Sequence, residues 1–154
     1  MKIVELHTLD DVQVADLLAL MAELDPEIAV TADMLRATAA ASQTHLFAAV
    51  CQEGDCAGGA AAPVIGRIAG CASLCVFTSP TGRKASVEDV VVGSAWRGRH
   101  LGRALLDHII SYARAELSPV DIHLTSRPHR VAANALYRSL GFIQKETNVY
   151  ILSI

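Results

Sequence analysis

The sequence predicts an α/β fold, with a mixed central sheet of about six to seven strands and about four flanking helices. Three observations carry this. Residues 87–92 form an apolar strand-like run, and a Gly- and Arg-rich turn leads from them into a helix-like run at 101–117 and a further apolar run at 120–125. Strand, crossover helix and strand make a right-handed βαβ unit, so these two strands should be parallel. Next, Ser79-Pro80-Thr81-Gly82 separates two apolar runs, which predicts an antiparallel hairpin. Finally, 154 residues at 52% hydrophobic and 19% charged suffice for one domain, 1–154, with a real core rather than disorder.

The elements follow in order. Residues 2–7 read as a first strand. Thr8 then reads as an N-cap with Asp11 in the first turn, and Val14, Leu17, Leu18, Met21 and Leu24 recur at helical spacing until Asp25-Pro26 ends the run. A second helix spans 31–41, capped by Thr31, with Met34, Leu35 and Thr38 inward. Residues 45–52 are a strand and 53–63 a Gly- and Ala-rich loop. Residues 64–78 form a long strand bent at Gly70, which returns as 84–93. After the helix at 101–117, Ser118-Pro119 breaks the chain before strand 120–125. A helix from about 129 to 140 ends on Gly141 as its C′ residue. Residues 142–146 and 149–154 are read as closing strands.

The net charge of −3 argues against a nucleic-acid binder. No apolar run reaches the roughly 18 residues of a membrane span, and the first residues do not read as a signal peptide, so a cytoplasmic location is expected. Cys51, Cys56, Cys71 and Cys75 have neither C-x-x-C nor zinc-like spacing, so buried free thiols and no metal are expected, with Cys56 set apart in a loop where it could be exposed.

Function is read from the turn at 97–104, Arg97-Gly98-Arg99-His100-Leu101-Gly102-Arg103-Ala104. The first amides of a helix have no intrahelical acceptor and carry the positive end of the macrodipole. Glycines there let a ligand approach the backbone. A strand, such a turn and a helix make a pyrophosphate pocket.

These residues resemble the coenzyme signature of the GNAT superfamily of acyl-CoA-dependent N-acetyltransferases, Gln/Arg-x-x-Gly-x-Gly/Ala, here Arg99-His100-Leu101-Gly102-Arg103-Ala104 preceded by Arg97-Gly98. The family's second signature is matched by Asn134, Tyr137 and Leu140-Gly141-Phe142 on a late helix. Many members carry glycine where this chain has His100, whose side chain either points to solvent or touches the phosphates. The resemblance implies acetyl-CoA as co-substrate, an amine acceptor, and a homodimer as a possibility. It implies that the amides of 99–104 hold the pyrophosphate, that Arg97, Arg99 and Arg103 add charge, and that the backbone of Val90, Val91 and Val92 pairs with pantetheine as an added strand would. Asn134 would bond the pantetheine amide.

Tyr137, one helical turn from Asn134, is the candidate acid for the departing thiolate, because a phenol is protonated at neutral pH. Glu88 is the first candidate base and Asp89 the second. Strand alternation sends them to opposite faces, unless the bulge common in this family intervenes. Either acid could instead only bind the amine. The acceptor is not legible. Glu23, Asp25, Glu27 and Asp33 could attract a cation, but an ordinary solvated surface is the favoured reading. The stretch Val-Glu-Asp-Val-Val-Val at 87–92 looks like the corresponding strand of glucosamine-6-phosphate N-acetyltransferases, without fixing a substrate. Transfer to a protein N-terminus or lysine, or a non-catalytic acyl-CoA-binding regulator, remain alternatives.

Overall fold

The computed structural model describes residues 1–55, 65–118 and 120–154, which fall into two compact units, Met1–Leu124 and Thr125–Ile154. Cys56, Pro119 and most of the predicted 53–63 loop lie outside the described residues.

The first unit is a five-stranded sheet in the order β1-β2-β3-β4-β5. Its strands are β1 (Lys2–Leu6), β2 (Thr44–Val50), β3 (Ile68–Ser79), β4 (Gly82–Val92) and β5 (Asp121–His123). β1 through β4 pair antiparallel, and β4 pairs β5 parallel, as the crossover predicts. Ser79 opposes Gly82 across the predicted hairpin turn.

Helices cover both faces. α1 (Asp11–Leu24) and α2 (Ala32–Ala40) bury Leu17, Leu20 and Leu35 against Leu46, Ala48 and Cys71. α3 (Leu101–Tyr112), extended by a π turn at Ala113–Leu117, lies on the other face, because Phe47 alternates with Leu46. The Phe47 ring meets His108 at 5.2 Å and Tyr112 at 5.4 Å. Beside them His45 Nδ1 lies 2.7 Å from Glu5 Oε1.

The α1 cap differs from the expectation. Asp10, not Thr8, accepts from the Gln13 amide at 2.8 Å, and Gln13 Oε1 accepts from the Asp10 amide at 3.1 Å. A complete capping box outcompetes a threonine with only an acid three residues on. Thr31 caps α2 as predicted, but Met34 is half exposed rather than inward. Asp16 is buried on α1 and binds the Arg67 guanidinium through Nε (2.7 Å) and Nη2, and also accepts from the Ile68 amide at 2.9 Å. That ion pair fixes where β3 begins.

The second unit contains α4 (Val131–Ser139), followed by Gly141 at φ +91, the predicted C′ glycine. Residues 142–146 and 149–154 carry no regular strand, so the sheet has five strands rather than six or seven. Their apolar pattern fits a strand, but pattern alone supplies no partner, and a strand exists only with one. Tyr150, Ile151 and Leu152 are exposed.

Candidate functional site

β5 runs beside β4 only as far as Ser86↔His123. Beyond that, residues 87–92 of β4 have no strand on the β5 side among the described residues, while β3 still holds their other edge through Cys71↔Val91 and Gly70↔Val92. Among the described residues, β4 therefore has an edge without strand pairing along the segment that leads into the Gly- and Arg-rich turn. Gly70 permits this tight pairing. A Cβ there would lie 2.7 Å from the Val91 carbonyl oxygen and 3.2 Å from Val92 Cα.

A bulge interrupts β4 just before the open segment. Between the pairs Ser73↔Glu88 and Cys71↔Val91, two residues of β4 oppose one of β3. Asp89 absorbs the extra residue at φ +53, in the left-handed region. The bulge cancels the alternation that would part the two acids. Glu88 pairs across from Ser73, and Ser73 and Asp89 both line one pocket beneath α1 and α2. Leu17, Met21, Leu35, Leu46 and Cys71 supply most of its apolar wall. Burial pushes the Asp89 carboxyl up from its ordinary range, and the neighbouring Glu88 charge adds to the rise. Glu88 accepts a hydrogen bond from the Ser86 hydroxyl and is not among the residues lining that pocket.

The turn after β4 begins with a short 3-10 segment, Ser94–Trp96, and Gly98 follows at φ +74 with open space where a Cβ would be. His100 precedes α3 at φ 60, ψ 15, and its side chain caps nothing. A left-handed residue at this point is why glycine suits the position; here an exposed histidine takes it with some strain. The first bond closing the helix runs from Ala104 N to the His100 carbonyl at 3.0 Å, so the Leu101 and Gly102 amides have no helical acceptor. Leu101 itself is buried against Cys51 and Ala69 and anchors the helix start.

The three arginines have distinct settings. Arg97 Nε donates to the Val92 carbonyl at 3.1 Å, and its Nη2 meets Glu23 at 3.1 Å. Arg99 lies over the Trp96 ring at 5.3 Å, and Arg103 meets Asp107 at 3.6 Å. Arg97 is thus a brace for the turn rather than a loose charge. Glu23 also accepts from the Ser94 amide at 2.8 Å. Sequence reasoning left Glu23 with the solvated surface, since nothing local ties residue 23 to residues 71 and 74 positions further on.

In the second unit, Asn134 Nδ2 donates to the carbonyls of Arg127 and Arg130, each at 3.0 Å, which locks the loop before α4. The Tyr137 ring meets Phe142 edge-on at 6.1 Å. Burial pushes its phenol up, with Arg130 pulling the other way. Cys51 and Cys71 are buried free thiols as expected, and Cys71 is pushed up to about 12 by burial. Cys75 is free and partly buried. No metal-binding group of His, Cys, Asp or Glu occurs among the described residues, and no helix among them is long and apolar enough to cross a membrane.

Residues 17–142 match the acetyltransferase (GNAT) family. The chain belongs to that family. Solved structures similar to this GNAT chain include a provisionally assigned acetyltransferase of Agrobacterium tumefaciens, 24% identical with a TM-score of 0.77, covering 99% of this chain and 100% of that one. Another is the glucosamine-6-phosphate N-acetyltransferase of Arabidopsis thaliana, 16% identical with a TM-score of 0.70, over 98% and 97% of the two chains. A third is an aminoglycoside acetyltransferase from an uncultured soil metagenomic sample, in complex with sisomicin, 14% identical with a TM-score of 0.71, over 99% and 95%. Comparison with curated protein sequences returns no significant match. This GNAT acetyltransferase is an acyltransferase, and its family implies an acyl-CoA co-substrate and an acceptor.

Proposed function

We propose that this protein transfers an acetyl group from acetyl-CoA to the primary amine of a small molecule by direct attack. The observation that carries the reading is the β4 bulge, which sets the partly exposed Asp89 on the wall of an apolar pocket, directly before residues 90–92. Asp89 is the base, with Glu88 raising its proton affinity from alongside. This reverses the order that alternation alone suggests. The backbone of Val90, Val91 and Val92 holds the pantetheine arm, except that Arg97 already takes the Val92 carbonyl. The amides of Gly98, Arg99, His100, Leu101 and Gly102 receive the diphosphate, and Arg103 and Ala104 continue the helix whose dipole faces it. Asn134 keeps its side-chain oxygen for a pantetheine amide.

Asp89 takes a proton from the ammonium, directly or through a water. The freed nitrogen forms a C–N bond to the acyl carbon as the C–S bond breaks, the leaving sulfur takes a proton from Tyr137, and the proton the new amide nitrogen sheds restores the phenol through solvent, while Asp89 returns its proton to water. A phenol pushed up by burial stays protonated at neutral pH, which suits that task. The family match spans both units, which supports treating residues 1–154 as one transferase domain. The exposed apolar side chains of Tyr150, Ile151 and Leu152 support a homodimer.

The test is a Tyr137→Phe variant. Acetyl-CoA affinity by calorimetry should stay within about twofold, while kcat should fall by about 10²-fold. Unchanged turnover would remove Tyr137 from the acid role.

A further inference from the structure

Resting on that reading, we propose that the acceptor is a free monoamine carried on a compact apolar body about the size of one aromatic ring, seated between α1, α2 and the sheet with its ammonium at Asp89. The cavity there holds about 170 Å³. An engineered apolar cavity of about 150 Å³ takes one benzene molecule, which sets the scale. α1 contributes Leu17 and Met21, α2 contributes Leu35, and the sheet contributes Leu46 and Cys71. The Cys71 thiol is neutral at physiological pH and adds polarisable apolar surface.

Polar lining is sparse. Among the described lining residues only Thr38, Ser73 and Asp89 carry polar side chains. Thr38 already donates its hydroxyl to the Met34 carbonyl at 2.9 Å. A polyhydroxylated amine entering here would lose water at each hydroxyl and find few partners. No Lys or Arg lines the cavity among the described residues, so a phosphorylated amine would meet no counter-charge. Among the described lining residues Asp89 is the one with a carboxylate, and the head group that matches an acid beside an apolar wall is a cation. The half-exposed Met34 and Ile28 form an apolar rim, so the approach matches the interior. Asp89 stands one residue before the stretch assigned to pantetheine, which brings an amine held at its carboxylate to the acyl end of the coenzyme.

The test uses the full chain. Release of coenzyme A from acetyl-CoA is followed with phenethylamine, isoamylamine, glucosamine 6-phosphate, sisomicin and a Phe-Ala dipeptide as acceptors. Binding of phenethylamine is read separately by calorimetry, with and without coenzyme A. We expect kcat/KM for phenethylamine to exceed that for either sugar amine by at least 100-fold and that for the dipeptide by at least tenfold. Asp89→Asn should weaken phenethylamine binding about tenfold. Preference for a sugar amine or the dipeptide overturns the inference and leaves the transferase reading standing. Absence of binding heat with phenethylamine in both conditions overturns the inference whatever the turnover shows. Loss of acetyl-CoA binding would defeat the transferase reading instead, while the calorimetric arm still decides for or against the apolar amine.

Discussion

Asp89 holds a backbone conformation that most residues avoid, at φ +53, and asparagine tolerates that region well. Asp89→Asn therefore removes the charge with little change in backbone. We expect kcat/KM for the acceptor to fall by about 10²- to 10³-fold, with acetyl-CoA affinity unchanged by calorimetry. Glu88→Gln should cost less than tenfold. Because burial and Glu88 both raise the Asp89 proton affinity, the acid limb of kcat/KM should lie above the ordinary carboxylate value of about 3.9. Activity should be lost as pH falls through that limb. Stability runs the other way: the folded carboxyl binds its proton more tightly than the unfolded one, so its ionisation costs stability above the raised folded value. Asp89→Asn should therefore raise the Tm at neutral pH, and that gain should vanish once pH falls below the unfolded carboxylate range. The sequence brought both acids into view, but it could not rank them. Ranking needs the bulge, and a bulge depends on the partner strand, which local alternation does not encode. His100 is different: its place in the turn was legible, and its side chain is exposed. His100→Gly should relieve backbone strain and leave the stability in urea denaturation equal or slightly higher, by about 1 kcal/mol at most.

At the level of elements, β4 is the strand on which everything turns, and Gly70 of β3 is what lets it sit so close. Gly70→Ala would push a methyl into the Val91 carbonyl, whose backbone cannot swing aside as a side chain can. We expect a loss of about 1–3 kcal/mol in urea denaturation and a raised KM for acetyl-CoA, because Val91 and Val92 move together. The start of β3 depends on the Asp16–Arg67 pair. Arg67→Ala would leave a buried carboxylate with only the Ile68 amide, at a cost of about 3 kcal/mol by the same measurement. The βαβ unit, the hairpin and the second helical cap were readable because each has a local signature in turn residues or periodicity. Thr8 misled because threonine and aspartate are both good caps, and the reciprocal Gln13 bond decides between them. The closing strands misled for a deeper reason. An apolar run of six residues states a preference for pairing and says nothing about with what.

For the whole molecule, the sheet separates two tasks. One face with α1 and α2 shapes the cavity proposed for the acceptor, and α3 on the other face starts at the turn proposed for the diphosphate. If Tyr150, Ile151 and Leu152 are covered by a second copy, light scattering on the purified protein should give twice the chain mass, and replacing all three by serine should return it to one. Glu23 links the two tasks. It sits on the same helix as Leu17 and Met21 of the cavity, and its carboxylate grips the Ser94 amide and the Arg97 side chain on the way into the turn. A guest that shifts α1 on arrival must shift that grip as well. Thermodynamics makes any such influence mutual: whatever factor the amine applies to the affinity for coenzyme A, coenzyme A returns to the amine. Titrations of each ligand at fixed levels of the other should show dissociation constants that move by an equal ratio, and Glu23→Gln should bring that ratio toward one.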